Sequence, residues 1–378
     1  METGFTKKIN VLYFSQVGWK WIKQRPHFMP EALAKQGCNV TFFALAIGKH
    51  KPVSIIENSF QVKEVKGVRG SEKYFVSRML NRIICRKYLN DDFSETVDIV
   101  ILTYPFQYDF LNENLKKKTI IYDCMDNIPL FYNGSVKSTM IRMEKTLCDK
   151  SEKIIVSSEK LKEVICKRYG INEEKMHVIR NALSKKILEK DYEVRNLQKN
   201  SIMQETIKCP NLVYVGTVGE WLDYELINKF AKENPNIYIY LVGPQSKEVK
   251  KLQRIFSDNV IFTGSKSHKE AMGYISLADI VILPFKVNEL IECVDPVKMY
   301  EYIGLGKKVV SAYWKELDFY ENITNVRFYK TVQEFDSLVK ELFSDTRVLK
   351  ADIDFVNRNN WDKRAEKLYR VICECREQ

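Results

Sequence analysis

NLVYVGTVGEWLDYELI (residues 211–227) decides the fold. It opens with an apolar run of strand length, passes two closely spaced glycines, and restarts a strand-and-helix pattern after a polar, charge-rich segment at 184–210 with little apolar periodicity. The pattern continues in IYIYLVG (237–243), VIFTG (260–264), DIVILPF (279–285) and KKVVSA (307–312). Before the polar segment it runs through INVLYFS (9–15), NVTFFALA (39–46), VDIVILTY (97–104), KTIIYDC (118–124) and EKIIVSS (152–158). Near-continuous apolar runs of this kind suit parallel strands buried on both faces. Helical stretches lie between them, such as QRPHFMPEALAKQG (24–37), which closes on a glycine suited to a helix C-cap. The expected class is α/β: two doubly wound parallel-sheet domains facing a crevice, where ligands of such sheets bind.

The expected boundaries are 1–184 for the first domain, 185–210 for a connection and 211–353 for the second domain. Residues 354–378, with Trp361, Leu368 and Val371 at helical spacing, are expected to form a terminal helix that crosses back to the first domain.

A chain of 378 residues with 45% hydrophobic content can bury two cores. Nine cysteines with no paired CxxC spacing read as reduced, which points to the cytoplasm. None of the four histidines lies at metal-ligand spacing, and no D-x-D pair stands at a strand end, so neither a metal nor a cofactor is expected. METGFTKKINVLYFSQVGWKW at the N-terminus has no full-length apolar region and no small-residue cleavage site, and no apolar run approaches the roughly 20 residues that span a bilayer. Any membrane contact is therefore expected to be peripheral. The formal charge of +11 favours anionic partners such as nucleotides, diphosphate lipids or membrane surfaces. Its basic residues are spread along the chain without a recognised nucleic-acid-binding signature, so no nucleic-acid partner is expected. G-x-G-x-x-G is absent, which disfavours a dinucleotide oxidoreductase.

VDPVKMYEYIGLGKKVV (294–310) concentrates the chemistry. Asp295 is a natural N-cap and Pro296 a natural first helical residue, so a helix should start there and run toward Gly304 or Gly306. Free N–H groups and the helix dipole at such a start favour a phosphate. Lys298, a cation in the first turn, makes sense beside a bound anion, and Glu301 three residues on could accept two sugar hydroxyls such as those of a ribose. The plain alternative is a capped helix with an ordinary Lys–Glu pair on its solvated face.

The stretch resembles the D-P-x-K-hydrophobic-x-E-Y signature of GT-B glycosyltransferases, notably teichuronic-acid and capsule-type bacterial enzymes, with a more distant likeness to xanthan-type glucuronosyltransferases. Supporting segments run almost end to end: VGWKWIKQRPH (17–27), IIYDCMDN (120–127), HVIRNAL (177–183) and YVGTVGEWLDYELI (214–227) among them. The resemblance implies two Rossmann-like domains, the second taking a nucleoside diphosphate sugar and the first the acceptor. It implies that Glu301 holds the ribose, that Lys298 and the backbone after Asp295 (Pro296, which starts the helix without an N–H of its own, and the Val297 amide) meet the diphosphate, and that Gly216, Thr217 and Gly219 form the turn approaching it. Many relatives carry a glutamate eight residues before the ribose-binding one; here Cys293 stands there.

YDCMDN ends a strand, which puts Asp123 or Asp126 at the crevice edge, and an inverting transferase needs a general base there. Asp126 is the expected base; capping the next helix is its plain alternative. Arg25 is expected to contact an acidic or diphosphate-bearing acceptor and Trp19 to stack on a sugar, with core packing at least as natural for Trp19. SEKYFVSRMLNRIICRKYLN (71–90) fits a basic amphipathic helix that could rest on anionic lipid near a lipid-linked acceptor, although such helices more often pack on their own domain.

The expected function is a metal-independent glycosyltransferase of bacterial surface-polysaccharide assembly. It would move a sugar from a nucleotide diphosphate, UDP-linked, to a saccharide or lipid-linked saccharide at the inner face of the plasma membrane. The rivals are a sugar-nucleotide 2-epimerase of similar fold, which needs no acceptor, and a non-catalytic basic binding protein.

Overall fold

The computed structural model describes residues 8–189, 207–347 and 349–377. Two compact units divide the chain: residues 1–182 with 361–378, and residues 183–360. The middle of the expected connection, 190–206, lies outside the described residues.

The first unit is built on an eight-stranded sheet. Its strands are β1 (Asn10–Ser15), β2 (Asn39–Ala46), β3 (Ser54–Glu57), β4 (Phe60–Lys66), β5 (Ile99–Leu102), β6 (Thr119–Cys124), β7 (Lys153–Val156) and β8 (Met176–Val178), in the order β3-β4-β2-β1-β5-β6-β7-β8. All pairings are parallel except β3 with β4. The five runs read as strands in this half are β1, β2, β5, β6 and β7; β3, β4 and β8 were not anticipated. Strand β3 is an edge strand with one side in water, and its turn to β4 uses Asn58 in the left-handed region (φ 48°). Helix α1 (Arg25–Lys35) follows β1 and helix α2 (Phe75–Tyr88) follows β4. Gly37 after α1 has φ +100°, the backbone that the glycine in QRPHFMPEALAKQG was read to supply.

The second unit holds β9 (Asn211–Val215), β10 (Tyr238–Val242), β11 (Val260–Gly264), β12 (Ile280–Leu283), β13 (Val309–Ala312) and β14 (Val326–Tyr329), ordered β11-β10-β9-β12-β13-β14 and parallel throughout. Strands β9, β12 and β13 are buried along their whole length, as their apolar runs require.

The expected single terminal helix is two. Ile353–Arg358 belongs to the second unit and Trp361–Glu377 to the first. The break is made by Asn359 and Asn360, whose side-chain amides donate back to the carbonyls of Phe355 (3.1 Å), Val356 (2.9 Å) and Asn357 (2.7 Å), closing the end of the shorter helix. Trp361, Leu368 and Val371, the residues read at helical spacing, are buried in the first unit's core with Ala365 and Ile372, and Trp361 stacks on Phe28 of α1 at 5.6 Å.

Candidate functional site

In the second unit the sites grow from the carboxyl end of β9. Gly216 sits where the ends of β9 and β10 nearly touch: a Cβ on Gly243 (φ +148°) would lie 1.9 Å from the Gly216 carbonyl oxygen. A side chain on Gly216 would meet the Tyr214 hydroxyl at 2.6 Å, and one on Gly219 would meet the Trp221 ring at 2.5 Å. The turn is tied down on several sides. Tyr214 donates to the Thr217 carbonyl (3.0 Å), Tyr224 to the Gly219 carbonyl (2.8 Å), and Val218 N–H to Pro244 O (2.9 Å). Thr217 is left exposed at its tip.

The helix Val297–Gly304 is fastened to this turn by Tyr302, whose buried hydroxyl accepts from the Val215 N–H at 3.0 Å. Its first turn carries Val297 and Lys298, where backbone N–H groups lack intrahelical acceptors. Lys298 Nζ lies 2.6 Å from Glu301 Oε2, both half-buried on one face. The helix ends at Gly304, and Gly306 takes φ +66°. A Cβ there would meet the Lys350 carbonyl oxygen at 2.1 Å.

Asp295 does not cap this helix. Pro296 occupies the N-cap, and the Asp295 carboxylate, 3% exposed, accepts from the hydroxyls of Tyr300 (3.1 Å) and Tyr320 (3.3 Å). Two buried phenols need an acceptor, and Asp295 supplies it. Those bonds hold the segment that leads into the helix. Cys293 is buried with its thiol directed to Glu289 O (3.4 Å), so that position carries no carboxylate, and the neighbouring Glu292 is exposed.

In the first unit, Arg25 is not available to an acceptor. It is 3% exposed and clasps Asp123 through Nη2–Oδ1 at 2.7 Å and Nε–Oδ1 at 3.1 Å, while Nη1 donates to Ile179 O at 2.7 Å. Tyr13 also donates to Asp123, at 2.9 Å. Trp19 is packed against Phe42 (5.0 Å), Phe60 (5.4 Å) and His27 (5.6 Å), which is its core-packing alternative. The loop that carries it is held by Glu64, which accepts from Trp19 N (2.6 Å) and Val53 N (2.8 Å).

Asp126 is different. It follows β6, is half-buried, and among the described residues its carboxylate takes part in no hydrogen bond or ion pair. Burial pushes its pKa up to about 6, with the nearby Arg25 charge pulling the other way. A carboxylate poised there suits general-base work near neutral pH.

Glu64, Tyr302 and the Arg25–Asp123 clasp were missed as organisers of these sites. Their partners lie 45, 87 and 98 residues away, and no local spacing reports them. Among the described residues no group of three or more His, Cys, Asp and Glu could hold a metal, and no helix is long and apolar enough to cross a membrane.

Residues 29–185 match the model of Glycosyltransferase Family 4. TuaH of Bacillus subtilis, provisionally named a teichuronic acid biosynthesis glycosyltransferase, is 28% identical over 203 residues, half of this chain and 49% of that protein. The alignment thus spans about half the length of that curated relative. Among solved structures, sucrose-phosphate synthase from Thermosynechococcus elongatus superposes with a TM-score of 0.74 at 14% identity, over 97% of this chain and 99% of that one. Anabaena HepE, solved with UDP and glucose, gives 0.68 at 13% identity over 97% and 99%. The chain therefore has the GT-B fold of the glycosyltransferases, and its residues 29–185 match Glycosyltransferase Family 4.

Proposed function

We propose that the protein is a glycosyltransferase that transfers a sugar from a nucleoside diphosphate donor, UDP-linked, to a saccharide acceptor of bacterial surface-polysaccharide assembly. The observation that carries this reading is the second unit's tied pair of elements: the glycine turn 216–219 and the helix start at 297–298, joined through Tyr302 and Val215. The turn gives close backbone approach, the helix start gives unpaired N–H donors, Lys298 gives a cation, and Glu301 gives a carboxylate one turn away. Together these suit a diphosphate followed by a ribose.

Catalysis then rests on two terms. Neutralising the leaving diphosphate falls to Lys298 and the helix start, which act as preformed donors. Accepting the proton from the attacking hydroxyl falls to Asp126, whose raised pKa is matched to that task. UDP-bound HepE, of the same fold, and TuaH, named for teichuronic acid, support the UDP donor and the surface-polysaccharide role.

The proposed setting is the inner face of the plasma membrane. Helix α2 leaves Phe75 (68% exposed), Val76, Met79, Leu80 and Ile83 (58%) uncovered in one stripe, with Lys73, Arg82 and Lys87 beside it. Apolar side chains flanked by cations suit an anionic lipid surface.

The test is incubation with a panel of nucleotide sugars, with UDP release and donor isomerisation followed together. Acceptor-dependent UDP release is expected; isomerisation without release would favour the epimerase, and no nucleotide binding would sink the enzyme reading.

A further inference from the structure

We propose that Glu144, a fully buried carboxylate of the first unit, is a positioning residue for Asp126: through Arg168 and Cys124 it fixes residues 125–127, the short segment on which Asp126 stands. The consequence for transfer rests on the reading of Asp126 as the general base; the fixing of the segment does not.

Glu144 lies on the helix Gly134–Lys150. Tyr122 of β6 donates to its Oε1 at 2.8 Å and Tyr169 to its Oε2 at 2.5 Å, while Arg168 Nη1 stands 3.5 Å from Oε2. Burial raises the pKa of this carboxyl, and the two phenols and the guanidinium pull it back. A buried ionic group seldom adds stability over apolar side chains of the same volume, so its presence is better explained by what it holds in place.

What it holds is the loop after β6. Arg168 ends the helix Glu159–Tyr169 and turns its other nitrogen, Nη2, to Asn127 Oδ1 at 2.8 Å; Asn127 is itself buried. A guanidinium is planar and rigid, so placing Nη1 beside Glu144 sets the direction in which Nη2 points. The second route is shorter. The Cys124 thiol lies 3.9 Å from Glu144 Oε1 and 3.5 Å from the Asp126 carbonyl oxygen. Ser157 Oγ donates to Met125 O at 2.7 Å and Ile128 N–H to Asp126 O at 2.8 Å, so each of the three residues is held at a backbone or side-chain oxygen. The Asp126 carboxylate is the part left to meet a substrate. A base must stand within hydrogen-bond reach of the hydroxyl it deprotonates, and a displacement of about 1 Å can cost on the order of a hundredfold in rate.

The test uses the full chain. Amide hydrogen exchange of residues 125–128 is read beside UDP titration and beside kcat and KM for UDP release, with the donor selected by the nucleotide-sugar panel. Glu144→Gln keeps the shape and a partner for each phenol but removes the charge. Arg168→Met cuts the link from a side chain that is partly solvated, and decides the matter if the first variant does not fold. Both are expected to speed exchange in the segment roughly tenfold and lower kcat at least about tenfold, with UDP affinity unchanged. The double variant should fall short of the product of the two effects, because both act along one path. Lys175→Met is the comparison: it unfastens the last turn of the same helix, where Nζ donates to Cys148 O (3.0 Å) and Asp149 O (3.3 Å), and should lower stability with the segment and kcat unchanged. Unchanged exchange in the folded variants, unchanged kcat in them while Asp126→Asn is slow, or an equal effect from Lys175→Met would overturn the proposal. Asp126→Asn at the wild-type rate removes the base reading instead, and exchange alone then decides whether Glu144 fixes the segment.

Discussion

Lys298 Nζ and Glu301 Oε2 stand 2.6 Å apart on the helix that follows Pro296, so the cation and the carboxylate proposed to meet different parts of a nucleotide hold one another while it is absent. A nucleotide that takes both must part them. The pair is partly solvated and contributes little to stability, about 0–1 kcal/mol, whereas a charge-assisted bond to phosphate is worth about 1.5–3 kcal/mol.

Lys298→Ala is therefore expected to weaken UDP binding by about ten- to a hundredfold while the unfolding midpoint moves little. Glu301→Ala should weaken UDP as well but leave pyrophosphate binding intact or stronger, because it frees Lys298. Calorimetric titration of both ligands checks this; equal affinity of wild type and Lys298→Ala for UDP would remove the diphosphate assignment.

Asp126 should set the acid limb of activity. Its folded pKa is about 6 against an ordinary value of about 3.9, so kcat/KM for UDP release should fall as pH drops below about 6. Asp126→Asn should slow transfer by about a hundredfold or more without altering UDP affinity. Folding carries the same signature with its own sign: a raised carboxyl pKa stabilises the protonated form, so this contribution is present below about pH 4 and is lost as pH rises through about 6. The asparagine variant should lack that loss in a denaturation series across pH.

Arg25→Ala should act on stability. It leaves Asp123 buried without its counter-ion, and breaking such a pair costs about 3–5 kcal/mol. Urea denaturation measures it. A variant of wild-type stability with impaired acceptor use would instead restore Arg25 to the acceptor.

Gly243→Ala should disturb the donor turn from behind, since its Cβ would stand 1.9 Å from Gly216 O and its φ of +148° disfavours any side chain. Loss of UDP affinity together with a lower melting temperature is expected; Gly264→Ala, where a Cβ meets nothing within 4 Å, is the comparison for the φ effect alone.

For α2, flotation with vesicles containing anionic lipid should carry the wild type, and Phe75→Ser with Ile83→Ser should abolish it. Vesicles of neutral lipid should carry less, and high salt should reverse part of the binding. No flotation at low salt would remove the membrane proposal.

Five of the second sheet's six strands and five of the first sheet's eight were legible because strands covered on both faces must be apolar along their length; the edge strand β14, with Arg327 in its middle, was not read. The β3–β4 pair was not: β3 is a largely exposed edge strand, and in its neighbour β4 Gln61 and Lys63 alternate with Phe60 and Val62, so neither shows a continuous apolar run. In the candidate sites, Lys298 and Glu301 could be read from helical spacing alone. Asp295 could not: whether it caps the helix or turns inward depends on Tyr320, twenty-five residues on. Arg25 looked available to a ligand because Asp123 is distant in sequence, although both stood in segments singled out for function. Glu144 had no signal, since only the fold brings Tyr122, Arg168 and Tyr169 to it.

The helix Trp361–Glu377 gives the first unit part of its core from beyond the whole of the second. During synthesis α1 and its neighbours therefore emerge long before their cover exists, and at about 5–20 residues per second they wait roughly ten seconds or longer while residues 183–360 are made. The ribosome-bound first unit consequently lacks the stacking partner of Phe28 and the core residues Ala365, Leu368 and Ile372, and a break in translation before Trp361 leaves it so.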